Sequence, residues 1–160
     1  MYPFFILILS LVPWSLEYQP ALYDMRVVVH EHPYCDGSYL SGAWTGPDRV
    51  IRLCPAPGDP WAWLALHESQ HIMASTYLPD TNFDLFSKVA IKSLEYGDYT
   101  DDQVRTAKYI LTYGSHELHA ELPWITGGKL HPSLQRWYPW LDLTSRIATP
   151  QELAPRTIFE

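Results

Sequence analysis

Two short stretches hold most of the residues able to do chemistry. The first, Trp63-Leu64-Ala65-Leu66-His67-Glu68-Ser69-Gln70-His71-Ile72-Met73, contains His-Glu-x-x-His. Residues four apart share one helix face about a turn apart, so both imidazoles can address a single cation. Glu68 directly follows the first histidine. It projects beside the metal rather than onto it, where it can take a proton from metal-activated water. Zinc brings the pKa of such a water to about 7, so hydroxide is accessible near neutral pH. Leu64, Leu66, Ile72 and Met73 surround the pair, as in a buried ligand helix rather than a solvated one. The opposing reading of so short a motif is a chance match whose histidines are satisfied core residues.

The second stretch is Ser115-His116-Glu117-Leu118-His119-Ala120-Glu121. A catalytic zinc takes three protein ligands and keeps one position open. A third histidine continuing the first motif as His-x-x-Gly-x-x-His is absent, because Ala74 and Tyr77 stand at those positions. Glu117 and Glu121, four apart, face one side of a helix. One can bind the metal, and the other can accept the free ring N–H of a ligand histidine and fix its tautomer. Leu118, Ala120, Leu122 and Trp124 lie around them, and carboxylates in apolar company need a cation or donors nearby. The bland alternative is an ordinary solvated helix face. Tyr113 lies a further four residues back. In a helix unbroken at Gly114 it shares that face and can hydrogen-bond a developing oxyanion.

His-Glu-x-x-His followed by Glu-x-x-Ala-Glu on a later helix resembles the gluzincin branch of the zincin metallopeptidases. It is particularly similar to the pattern of anthrax lethal factor and related small peptidase domains. The resemblance covers two short pieces between Leu64 and Glu121. It implies His67, His71 and Glu117 as zinc ligands, Glu68 as general base, and Glu121 as the carboxylate behind a ligand histidine. It also implies a short sheet whose edge strand binds a peptide or protein substrate in extended form. Ser38 to Trp44 or Arg49 to Cys54 would supply that edge.

Several residues compete for these roles. His116 adjoins the proposed ligand and can assist the oxyanion, or can itself be the ligand on a rotated helix. His119 is a minor rival, since the two histidines of the second stretch are only three apart. His30-Glu31-His32 on a strand, with Cys35 and Cys54, could make a structural zinc site, although its spacing follows no usual ligand pattern. Cys35 and Cys54 flank what reads as a hairpin. They are either a disulfide or two buried thiols, depending on compartment. Trp137-Tyr138-Pro139-Trp140 lines a specificity pocket or covers the core.

The elements that must position these groups follow from local signals. Met25 to His32, Ser38 to Trp44 and Arg49 to Cys54 read as strands, with Thr45-Gly46-Pro47-Asp48 as a turn, giving a small antiparallel or mixed sheet. Asp59-Pro60 opens a helix running to about Leu78. Thr81 caps a second, stopped near Gly97. Thr100-Asp101-Asp102-Gln103 is a capping box opening a third stretch that ends before Pro123, with Gly114 inside it as a candidate break. From Thr126 the chain reads as irregular. Strands first and helices after predict an α+β, zincin-like domain.

The chain has 160 residues and a net charge of −7, which suits one domain without a basic nucleic-acid surface. The apolar run from Tyr2 to Trp14 is far shorter than a membrane helix of about 20 residues. It reads as a buried core segment, an atypical secretion signal or a weak membrane contact, and the first leaves a soluble chain. The function these observations predict is zinc-dependent peptide hydrolysis. The alternative is a zincin-like domain without catalysis, serving in structure or assembly.

Overall fold

Asn82 and Thr100 show how the helical half is set out. The side chain of Asn82 accepts the amide of Asp84 at 2.8 Å and starts a helix one residue later than a Thr81 cap would. Thr100 and Gln103 exchange side-chain and backbone bonds in a complete capping box. The computed structural model describes residues 11–30, 42–45, 48–54 and 61–143. Among them, α1 (Gln19–Tyr23) precedes strands β1 (Arg26–Val29), β2 (Gly42–Thr45) and β3 (Val50–Cys54). Helices α2 (Trp61–Tyr77), α3 (Phe83–Tyr96), α4 (Asp101–Leu111) and α5 (Ser115–Ile125) follow, then a 3-10 turn at Pro132–Trp137. The fold is mixed α+β, with strands before helices. The Asp59-Pro60 start of α2 lies outside the described residues.

The sheet is mixed, in the order β1-β3-β2. β3 pairs antiparallel with β2, placing Ala43 opposite Leu53, and parallel with β1, placing Val27 opposite Ile51. A purely antiparallel sheet is therefore ruled out, as is Arg49 to Cys54 as an edge. β3 is central, and Val50, Ile51, Leu53 and Cys54 are all buried. Asp48 shapes the β2–β3 connection, accepting the amide of Val50 at 3.2 Å and pairing with Arg52 at 2.6 Å.

The expected third helix divides at Gly114, whose φ of 126° is open to glycine but strained for any side chain. The backbone turns there, so α4 and α5 are separate helices. Pro123 does not end α5 but lies within it. A proline lacks the N–H that would bond the carbonyl four residues back, here that of His119. The Tyr138 hydroxyl donates to that carbonyl at 2.7 Å, so the helix passes through with its acceptor satisfied.

The chain's aromatic end is core rather than pocket wall. Tyr138 and Trp140 are fully buried, and the Trp140 indole donates to Gln70 of α2 at 2.9 Å. At the other end Leu11, Val12 and Trp14 are buried, and Trp14 bridges Leu141. That agrees with the core reading of the described part of the N-terminal apolar run. Among the described residues no helix is long and apolar enough to cross a membrane.

Candidate metal centre

Helix α2 is wedged between the sheet and α5, which explains why it is buried on several sides. Ala65, Leu66, Met73 and Gln70 are each at most 1% exposed. One stripe departs from this pattern. Trp63, His67 and His71 stand at i, i+4 and i+8 and face α5, whose own i, i+4 pair is Glu117 and Glu121. Two local helical periods thus bring together residues some fifty positions apart.

The geometry is tight. Nε2 of His67 lies 3.1 Å from Nε2 of His71 and 3.1 Å from Oε2 of Glu117. Nε2 of His71 lies 3.2 Å from Oε1 of the same carboxylate. Each imidazole thus meets its own oxygen of the carboxylate, and the three side chains form a triangle whose sides are close to the roughly 3.3 Å between ligand atoms held at about 2.0–2.1 Å by a tetrahedral zinc. The side chain of Glu117 is 41% exposed and that of Glu121 only 7%, which leaves the open side of the cluster at Glu117. Glu68 is buried beside the triangle, its Oε1 4.0 Å from His67 Nε2. With His67 and His71 it forms a group whose ligand atoms lie within 4.8 Å of one another.

Behind the triangle, Oε2 of Glu121 accepts from Nδ1 of His67 at 2.6 Å. The other carboxylate oxygen accepts the indole N–H of Trp63. With its one proton on Nδ1, a neutral His67 turns an Nε2 lone pair toward another imidazole nitrogen and a carboxylate oxygen. His71 can meet that lone pair with a ring N–H, but the His67–Glu117 contact sets two acceptors together unless a second proton on His67 or a cation lies between them. In the metal-free chain the proton serves. Burial pulls the His67 pKa down, but hydrogen bonds to Glu117 and Glu121 outweigh it and raise the value to about 10. The same bonds from His67 and His71 hold the Glu117 carboxyl well below the usual carboxylate range. Burial pushes Glu68 up, against the opposing charges of His71 and His67. Two imidazoles and a carboxylate with an open side fit a divalent ion of the zinc type.

The structure brings His67, Glu68, His71, Glu117 and Glu121 together and leaves the other candidates elsewhere. Tyr113 ends beyond α4, on the far side of the Gly114 break. It is 64% exposed, with its hydroxyl 2.7 Å from that of Tyr109, so the shared face it required does not form. His116 is exposed and sets its ring 4.6 Å from that of Phe83, on a different side of α5 from Glu117, so no rotated helix aims it at the cluster. His119 is buried, stacks on Tyr138 at 4.3 Å and donates from Nε2 to the Trp137 carbonyl at 2.6 Å. Burial lowers its pKa to about 3, as for a neutral core histidine.

Cys54 is disulfide-bonded, and a disulfide sulfur is no zinc thiolate. The chain's other cysteine, Cys35, and Glu31 and His32 of the second candidate cluster lie outside the described residues. Sequence reasoning missed Trp63, although its place four residues before His67 on the ligand stripe was the available signal. Comparison of the chain with known protein families, curated proteins and solved structures finds no match in any of them.

Proposed function

We propose that the chain is a zinc-dependent metallopeptidase of the gluzincin kind, with His67, His71 and Glu117 holding the metal. The observation that carries this reading is the convergence of His67 Nε2 and His71 Nε2, 3.1 Å apart, on the two oxygens of the Glu117 carboxylate at 3.1 and 3.2 Å, with a buried glutamate beside them. Bound zinc supplies Lewis acidity, which acidifies water to a pKa of about 7 and polarises a carbonyl. Glu68 takes the proton of the attacking water and returns it to the leaving amine. A carboxyl whose pKa burial has raised suits both halves of that exchange. Glu121 keeps the His67 proton on Nδ1, so that Nε2 faces inward as a lone pair. Strand β2, at the edge of the described sheet and packed against α2, offers backbone groups to an extended peptide. A small sheet, a ligand helix and a later helix carrying the third ligand support a zincin-like form of the α+β fold.

The test is cleavage of a quenched-fluorescence peptide library by the purified chain, with and without a zinc chelator. Cleavage that stops on chelation and returns with zinc is the expected result. A zinc-loaded chain that cleaves nothing would leave the structural or assembly role in its place.

A further inference from the structure

The Glu121 carboxylate has two clients, and only one of them is a proposed zinc ligand. Oε2 receives the His67 ring N–H, and Oε1 receives the indole N–H of Trp63. Glu121 sits on α5, whereas both donors sit on α2, one turn apart. The side chain of Glu121 is 7% exposed, so water offers little substitute for either donor. We infer that Trp63 is a positioning residue for the metal centre. By occupying one oxygen, its indole fixes the rotation of the Glu121 carboxylate. That leaves a single oxygen for His67 and aims Nε2 of the ring at His71 and Glu117.

The chemistry favours an indole in this role. It is a donor only, so it cannot compete with His67 by accepting. It carries no charge, so it orders the carboxylate without neutralising it. The carboxylate keeps its full negative charge for the imidazole N–H, which raises the basicity of the ligand nitrogen. Without the indole, Glu121 has a buried lone pair to satisfy and can rotate to share both oxygens with His67. The ring then loses its one fixed orientation.

This inference rests on the proposed metal site, and the experiment separates the two. Zinc affinity is measured by chelator competition on the whole chain and on W63F, which keeps an aromatic ring but loses the N–H. The His67 ring nitrogen shifts of the zinc-loaded proteins are recorded alongside. Partners of ligand histidines typically carry roughly 10- to 100-fold in metal affinity. We expect W63F to bind zinc about tenfold weaker, at the low end of that range because Trp63 acts through Glu121, with its His67 Nδ1–H resonance shifted. W63F binding zinc as the native chain does, with His67 unshifted, overturns the positioning role and leaves the metal site standing. A native chain that takes up no zinc overturns the metal site itself. Should W63F fail to fold, the native zinc-loaded chain still decides. Its Trp63 indole proton is expected downfield and slow to exchange, and an ordinary, fast-exchanging indole signal overturns the inference.

Discussion

His67 and His71 point their Nε2 atoms at each other across one turn of α2, 3.1 Å apart. A neutral His71 can donate its ring N–H to His67, but Glu117 lies 3.1 and 3.2 Å from the same two nitrogens. With one His67 proton held on Nδ1 by Glu121, a second proton or a cation is the natural occupant between His67 and Glu117. On the proposed function, a proton and a metal ion compete for that place.

The competition has a measurable sign. In the metal-free chain the His67 pKa is raised from 6.5 to about 10. Its pairing therefore stabilises fully below 6.5 and is lost as pH climbs through about 10. The Glu117 pKa is lowered from 4.5, so its contribution is present above that value and is lost as pH falls. Seen from both partners, this one pairing contributes most between pH 4.5 and 6.5. Zinc must displace the His67 proton, so its apparent affinity is expected to rise about tenfold per pH unit from 6.5 toward 10. Zinc titration calorimetry across that range checks it, and a flat profile contradicts it.

Glu117→Ala removes a carboxylate that meets both histidines. We expect zinc affinity to fall at least about 100-fold, since a first ligand should matter no less than its supporting partners. Metal analysis after dialysis against a weak chelator reads the loss. Stoichiometric zinc retained by this variant would exclude Glu117 as a ligand.

Glu68→Gln is expected to keep zinc and the fold while lowering turnover by roughly 10²–10⁴-fold, the usual worth of a general base. Near-native turnover would remove Glu68 from that role. Tyr113→Phe is expected to leave both zinc content and turnover unchanged, because that side chain is exposed and its hydroxyl is bonded to that of Tyr109.

Gly114→Ala tests the break itself. A φ of 126° with ψ of 158° is backbone that side chains rarely adopt, although nothing crowds the position. The expected cost is about 1–3 kcal/mol, read as a lowered melting temperature. An unchanged melting temperature would mean that the helices do not part there.

The legible features were local. Asn82 lies one residue from the cap read at Thr81, and the capping box at Thr100 forms in full, because caps depend on neighbours three residues apart. The i, i+4 spacings of His67 with His71 and of Glu117 with Glu121 likewise carry their own geometry. What escaped the reading depends on distant partners. Pro123 looked like a helix end because the Tyr138 hydroxyl that replaces its missing bond comes fifteen positions later. The strands were recognised, but their order was not, since spacing alone does not show that β3 inserts between β1 and β2. The claim of Tyr113 failed because Gly114 adopts a conformation that the letter G allows but does not require.

The central claim is that one ion joins α2 to α5. Crystals loaded with zinc and measured at the zinc absorption edge test it most directly. The account predicts a single anomalous peak at about 2.0–2.2 Å from His67 Nε2, His71 Nε2 and a Glu117 oxygen, with no protein atom in the fourth position. A peak elsewhere, no peak, or a fourth ligand from the chain would contradict it.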